Sequence, residues 1–296
     1  MHTYLTTNNY VRRIFGTKVY KLSLSAATTC PNRDGKVGTG GCTFCSGDGS
    51  GSFAACASLP ISEQIAQAKK ILGGKGQNMS YIAYFQSFTG TYGDLEYLES
   101  MYQEACNYPE IVGLSIATRP DCLDDKVMAM LERLAAKKTL WVELGLQTIH
   151  ERTAERINRG YALAVYDEAM NKLKQFKVHH ITHVILGLPG ETREDMLATC
   201  KYVGERTDGI KLQLLHVLEN TQLAEEYRLG QFEVLEPEAY YKLVADVLEL
   251  LPEDCIIHRL TGDGPKKYLI APLWSGNKKR VMADMQKTLR SRGILG

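Results

Sequence analysis

The order of apolar and amphipathic segments along these 296 residues predicts an α/β fold: a partial (βα)6 TIM-like barrel followed by a basic helical C-terminal extension. Three observations predict it. Six strand-like runs alternate with helix-like stretches, the pattern of a parallel sheet with crossover helices. Six units are two short of a closed eightfold barrel, so the sheet is expected to stay open. The last segment, residues 256–296, holds nine Lys/Arg against two acids and ends in helical spacing.

In chain order, Val19–Leu24 is the first strand and leads into a cysteine-bearing loop. Ser62 is placed as the cap of a helix with Ile65, Ala68, Ile71 and Leu72 on one face, broken by the glycines at 73, 74 and 76. Residues 81–85 are strand two, and their aromatic Tyr81, Tyr84 and Phe85 read as core packing ahead of base stacking. A helix from Asp94 ends before Pro109, and 111–116 is strand three. The stretch 124–137 is amphipathic, with Val127, Met130, Leu131 and Leu134 inward. Strand four is 140–144, followed by a helical region broken near Gly160 and reaching about Phe176. Strand five, 178–186, ends in Gly187-Leu188-Pro189-Gly190, after which Thr192 and Asp195 start a helix with a capping box. Strand six is 210–215. The barrel is taken as 15–230 and the extension as 231–296. The extension holds a helix at 237–251, a loop from Arg259 to Pro265, and a basic helix at 277–292 docked by Val281, Met285 and Leu289.

Composition narrows the function classes. No apolar run approaches a membrane span, and the N-terminus shows no secretory h-region. Eight irregularly spaced cysteines then suggest a reducing cytoplasm rather than a disulfide framework. Cys106, Cys122, Cys200 and Cys255 read as buried apolar cysteines. The net charge is +1, but residues 1–40 carry six Lys/Arg and one acid, so both ends are basic around an acidic middle. Basic ends point to a polyanionic partner; a solvated basic helix is the simpler alternative.

Chemistry concentrates in the first loop. Cys30, Cys42 and Cys45 follow strand one, where a parallel barrel places its active-site loops. Three thiolates can hold three irons of a [4Fe–4S] cluster, leaving the fourth open to a ligand. The pair Cys42-Thr43-Phe44-Cys45 alone also fits zinc, with Cys56 as the nearest fourth ligand. Spacing leaves both readings open, with non-ligand cysteines third. The other strand ends offer Gln86 and Ser87, Arg119, Glu143 and Gln147, and His183; His179, His180 and His216 read as structural or surface residues.

With these residues in place, the chain resembles the radical SAM superfamily. It is most similar to the YhcC/YtqA group and more distantly to the Elongator catalytic subunit and oxygen-independent coproporphyrinogen oxidases. The resemblance rests on Cys42 to Cys45, Val142 to Thr148, Asn158-Arg159-Gly160, Leu186 to Glu191, Arg259 to Asp263 and Ala271 to Trp274. It implies that Cys30, Cys42 and Cys45 ligate a [4Fe–4S] cluster. Phe44 is implied to pack near the adenine of S-adenosyl-L-methionine (SAM), Gln86 and Ser87 to take its amine, and Gln147 and Arg159 to hold its polar groups. Two departures stand out: eleven residues separate Cys30 from Cys42, and Ala117 stands where many relatives have a ribose-binding glutamate. That role then passes to Glu143 or His183. The implied reaction is reductive cleavage of SAM to a 5′-deoxyadenosyl radical that abstracts hydrogen from a substrate. The implied substrate is the C5 side chain of a tRNA wobble uridine, converting carboxymethylaminomethyl-uridine to aminomethyl-uridine. Its partners would be tRNA and a reducing electron donor such as flavodoxin or ferredoxin. Two rival classes are a radical SAM enzyme for a porphyrin or small metabolite, and a non-catalytic zinc-containing RNA-binding protein.

Overall fold

The computed structural model describes residues 2–47, 49, 54–73, 79–262 and 264–296. The chain opens with β1 (His2–Thr3), β2 (Leu5–Thr6) and α1 (Thr7–Phe15). The barrel units follow as β3 (Val19–Leu24), α2 (Ile61–Leu72), β4 (Ser80–Phe85), α3 (Leu95–Cys106), β5 (Ile111–Thr118), α4 (Asp125–Ala135) and β6 (Thr139–Gln147). Next come α5 (Glu151–Arg156), α6 (Leu163–Leu173), β7 (His179–Leu186), α7 (Arg193–Gly204) and β8 (Gly209–Leu214). The tail adds β9 (Val217–Leu218), α8 (Gln222–Arg228), α9 (Pro237–Leu250), β10 (Ile256–Arg259), β11 (Leu269–Ala271), α10 (Lys278–Ser291) and β12 (Ile294–Leu295).

The fold is an α/β half-barrel, with one sheet of eight strands in the order β2-β10-β8-β7-β6-β5-β4-β3, parallel throughout. The six expected strands lie side by side in chain order, and the sheet ends at β3 without closing. Two strands were not expected. β10 pairs with β8 and β2 pairs with β10, so the tail and the N-terminus extend the sheet. Both are short, and β10 follows a helix with only Ile256 and Ile257 as an apolar pair, too little for periodicity to resolve. The termini also meet, through parallel pairing of β1 with β12.

Side chains alternate across the sheet. Leu22, Leu24, Ala83, Phe85, Leu114, Ile116, Val142, Leu144, Val184, Leu186 and Leu212 belong to the main core with the helices. The alternate residues face the barrel interior, and several are polar: Lys21, Ser115, Glu143, His183 and Lys211. Helix starts follow their caps: Asp94 accepts from the Tyr97 amide, Asp124 from Val127, and Thr192 with Asp195 forms the capping box. The expected Ser62 cap is displaced. The second helix starts at Ile61 after Pro60 and has no side-chain cap, because the fixed φ of Pro60 sets the entry and Ile61 is drawn into the core. Gly74 and Gly76 lie outside the described residues. Val281, Met285 and Leu289 dock α10 as expected, at 2%, 0% and 0% exposure. Among the described residues no helix is long and apolar enough to cross a membrane.

The short helix α1, also not foreseen, plugs the barrel at the N-terminal ends of the strands. Thr6 caps it and Gly16, at φ 67°, ends it. Its Val11 packs with Ile82, Trp141 and Ile181. Tyr10 stacks on His179 at 4.8 Å between ring centroids, and His179 Nε2 lies 2.9 Å from His258 Nε2. Burial pushes His179 down to about 4, against Asp208, and holds His258 well below the usual imidazole range. Both rings are therefore neutral in the folded chain. A folded pKa below the unfolded one means that stability is complete above about pH 6.5 and falls as pH drops towards 4, by on the order of 3 kcal/mol for His179. Melting temperature measured from pH 7.5 to 5 should decline accordingly. His179→Gln, which keeps a polar partner but does not titrate, should decline less steeply; an unchanged slope would acquit His179.

Candidate functional site

The first loop is anchored at both ends. Buried Gln64 of α2 accepts from the Ser25 amide at 2.9 Å and donates to the Ser25 and Leu59 carbonyls at 3.2 and 2.9 Å, fixing the exit of β3. Further on, the eleven residues between Cys30 and Cys42 fold back on themselves. The Arg33 amide donates to the Cys30 carbonyl at 2.8 Å, and the Gly41 amide to the Asn32 carbonyl at 2.8 Å. Asn32 Nδ2 donates to the Asn158 carbonyl at 2.5 Å and lies 3.8 Å from Cys42 Sγ, while Asn158 Nδ2 donates to the Gly41 carbonyl at 2.8 Å. Gly41 sits at φ 80° with Arg33 against it; a Cβ there would lie 2.8 Å from Arg33 Nε. Arg33 in turn donates to the carbonyls of Cys45 and Ser46 at 3.0 and 2.6 Å.

This folding brings the three sulfurs within electrostatic reach of one another. Burial pushes the Cys42 thiol up to about 12, with the Cys45 and Cys30 sulfurs adding to the shift and Arg119 opposing it. Burial also raises Cys45, against Arg33, and Cys30 adds to it. Among the described residues no three His, Cys, Asp or Glu side chains close around a single ion. A four-iron cube instead takes its thiolates at separate corners, and the loop's three partly buried sulfurs beside Arg33 and Arg119 suit that donor set. Thiols with raised pKa values ionise on binding metal. Cys56 is exposed, and its thiol bonds Ser58 Oγ at 3.2 Å. Cys122, expected to be buried, is half-buried after β5: burial pushes it up to about 12, Asp121 adds, and Cys30 is also within reach. The turn that follows β5 exposes the position. Cys106, Cys200 and Cys255 are buried as expected.

Beside the loop, at the C-terminal ends of the strands, lies a cavity of ≈ 190 Å³. Phe44, Cys45, Gln86 and His183 line it, together with Tyr84, Lys211, Gln213 and Arg259. Ser87 is buried close by, and its carbonyl accepts from Thr28 Oγ1 at 3.5 Å. Gln147 ends β6 at φ 73°, and its buried Oε1 has no partner among the described residues. A strained backbone and an orphaned acceptor together fit a ligand donor at that point. Arg159 is 1% exposed. It donates through Nη1 to the Leu146 and Thr148 carbonyls at 3.2 and 2.6 Å and through Nε to Tyr161 at 3.0 Å, and Nη2 meets Glu151 at 3.4 Å. Its bonds therefore clamp the two residues that flank Gln147.

Glu143 lies beneath the cavity, fully buried. Its Oε1 takes Lys21 Nζ at 2.5 Å and Ser115 Oγ at 2.5 Å; its Oε2 takes His183 Nε2 at 2.7 Å and the Lys211 ammonium. Burial alone would push this carboxyl up, but Lys21, Lys211 and His183 outweigh it and hold it well below the usual range. Burial, with Lys211, pushes His183 down to about 4. It is thus neutral at pH 7, donating to Glu143 and accepting from Gln213 Nε2 at 3.2 Å. Sequence reading missed Lys21, Ser115, Lys211, Tyr84 and Gln213. The available signal was a charge in mid-strand: a parallel sheet covered on both faces leaves no solvated side for Lys211, and Lys21 is half-buried.

The chain matches the Radical SAM superfamily over residues 29–203 and the Radical_SAM C-terminal domain over residues 207–291. It is similar to YtqA of Bacillus subtilis, 44% identical over 98% of this chain and 90% of that protein. It is also similar to the tRNA uridine(34) acetyltransferase of Dehalococcoides mccartyi, 30% identical over 68% of this chain and 42% of that one. Among solved structures, Elp3 of the archaeon Methanocaldococcus infernus shares the fold at a TM-score of 0.67, with 18% identity, covering 93% of this chain and 63% of that one.

Proposed function

The chain belongs to the radical SAM superfamily, and on that premise we propose that it is a SAM-dependent iron–sulfur enzyme acting on the C5 side chain of a tRNA wobble uridine, converting carboxymethylaminomethyl-uridine to aminomethyl-uridine. The observation that carries the enzyme reading is the convergence of Cys30, Cys42 and Cys45 beside a cavity lined by Cys45 itself. Bound there, the cluster and SAM would supply hydrogen abstraction from the carboxymethyl carbon; with the SAM adenosyl group as net hydride acceptor and water as co-reactant, the two carbons would leave as glyoxylate and the amine would remain. This chain's own residues bind and orient. Cys30, Cys42 and Cys45 hold iron, Phe44 offers an apolar face, and Gln86, Ser87 and Gln147 offer polar groups for SAM. Arg159 acts through Gln147 as a positioning residue. His183 lines the cavity and Glu143 does not, so His183 is the better placed of the two for the ribose, which would take the place of Gln213 at Nδ1.

The tRNA reading draws on the likeness to a protein named for tRNA uridine(34). Lys266 and Lys267 follow Gly264 and Pro265 at the cavity, and Lys278, Lys279 and Arg280 open α10. Asp263 lies outside the described residues. Arg12 and Arg13 sit on α1, at the opposite end of the barrel, and leave this surface. Eight cysteines with no disulfide among them suit a cytoplasmic setting, with flavodoxin or ferredoxin as reductant. Anaerobic reconstitution, then nucleoside analysis of tRNA incubated with SAM and a reductant, tests the reaction; SAM cleavage without any changed nucleoside would refute the substrate. Changing Lys278, Lys279 and Arg280 to Ala together should weaken tRNA binding and lower the salt slope by about 0.7–0.9 for each phosphate that is no longer neutralised. Parent-like binding at every salt concentration would move the RNA surface elsewhere.

A further inference from the structure

Residues 264–280 hold five cations, Lys266, Lys267, Lys278, Lys279 and Arg280, against the two acids that flank them in the chain, Asp263 and Asp284. The stretch starts on the rim of the cavity, which Gly264 and Pro265 line, and runs into the first turn of α10. Within it Tyr268 is 38% exposed. Lys266 and Lys267, also exposed, precede it, and Lys267 Nζ lies 5.3 Å from its ring centroid. Its backbone is held from both sides: the amide donates to the Pro265 carbonyl at 2.9 Å, and the carbonyl accepts from the Glu219 amide at 2.8 Å. The next residue, Leu269 of β11, pairs with Leu218 of β9, which lines the cavity. Glu219 is bound by Arg228 at 2.5 Å and so does not cancel the lysines. A ring left in water contributes little to folding. Among the described residues the other exposed aromatic is Tyr97, on α3, whose charged side chains Glu96, Glu99 and Glu104 are all acidic.

We infer that Tyr268 is a stacking platform for an unpaired RNA base beside the one that enters the cavity, with Lys266 and Lys267 on the adjoining phosphates. A ring flanked by ammonium groups matches the alternation of base and phosphate along a single strand. A duplex keeps its bases stacked on each other and offers this ring only backbone and edges, so the partner is a loop and not a stem. A membrane surface would ask for a contiguous apolar face, whereas the other strongly exposed apolar side chain of the stretch, Leu273, stands past β11 in the chain. The inference rests on the RNA reading of this surface, but not on the reaction or on the uridine.

The test uses the reconstituted full chain and two probes, a short RNA stem-loop and a fully paired RNA duplex of equal length. Tyr268→Ala should bind the stem-loop roughly tenfold more weakly at an unchanged salt slope, because stacking releases no counterion. Lys266→Ala with Lys267→Ala should instead lower the slope by about 0.7 for each phosphate that is no longer neutralised. Tyr268→Phe should bind like the parent and Tyr268→Leu like Tyr268→Ala, since a base takes a π-face and not apolar bulk. Tyr97→Ala should bind like the parent. Undiminished binding in Tyr268→Ala, an equal loss on the duplex, an equal loss in Tyr97→Ala, or full affinity in Tyr268→Leu each overturns the inference. So does a parent that binds neither RNA, or that binds phosphatidylserine vesicles in their place. Stem-loop binding that depends on Tyr268, with no nucleoside of tRNA altered, would support the platform and count only against the proposed reaction.

Discussion

Cys42→Ala should lose the iron chromophore and all measurable SAM cleavage while the barrel stays folded. A [4Fe–4S] cluster here has three protein thiolates, so removing one leaves two, and the cube loses a corner it cannot recover from this loop. Cys42 is the member whose thiol feels both of the others: burial, Cys45 and Cys30 all act on it, and Asn32 approaches its sulfur at 3.8 Å. The fold should tolerate the change, because the loop leaves the sheet at Ser25 and is tied by Gln64, by Asn32 to Asn158 and by Thr43 to Ile157, none of which uses the sulfur as its main partner. Iron analysis, the visible spectrum and circular dichroism would check this together. Two controls sharpen it. Cys56→Ala removes an exposed thiol bonded to Ser58, and Cys122→Ala removes the fourth sulfur within reach of Cys30. Both should keep their iron. Loss of iron in either would make that cysteine a fourth protein ligand and return the site to the zinc-like reading.

The six central strands were legible because each is an apolar run bounded by turn residues. The helix starts at Asp94, Asp124 and Thr192 were legible because their capping chemistry is local. β2, β10 and α1 were not, since each is short and its place depends on partners distant in sequence: Leu5 pairs with Ile256, and Val11 packs on Ile82, Trp141 and Ile181. The same division runs through the site. Cys42 and Cys45 are neighbours in sequence and announce themselves. Lys21, Ser115, Glu143, His183 and Lys211 come from five different strands and meet only because a curled parallel sheet turns its alternate residues inward. Arg159 shows a third case. Its spacing from Gln147 was visible, but its guanidinium is bonded to the Leu146, Thr148 and Tyr161 carbonyls, which no spacing reveals.

Glu143→Gln should destabilise the folded protein by about 3–5 kcal/mol, the cost of leaving buried charges without their partner. The carboxylate is the single buried anion to which Lys21 and Lys211 both bond. An amide of the same size keeps the packing and offers one acceptor oxygen in place of two charged ones, so the loss is electrostatic and not a cavity. For a chain of this size the expected fall in melting temperature is on the order of 10 °C. The pH dependence has a definite sign. With its folded pKa depressed, Glu143 contributes stability above the ordinary carboxylate range, and that contribution is lost only as pH falls through the lower folded value. Loss between pH 6.5 and 5 therefore belongs to the buried histidines, and Glu143→Gln should shift the whole curve down at neutral pH without steepening that limb. Adding Lys211→Met to Glu143→Gln should recover part of the loss, because one stranded ammonium is then removed along with the carboxylate. A double variant no more stable than Glu143→Gln alone would mean that the charge of Lys211 is not what makes the lone amide costly. The interior would then owe its stability to packing around Trp141 and Tyr84 rather than to the carboxylate at its centre.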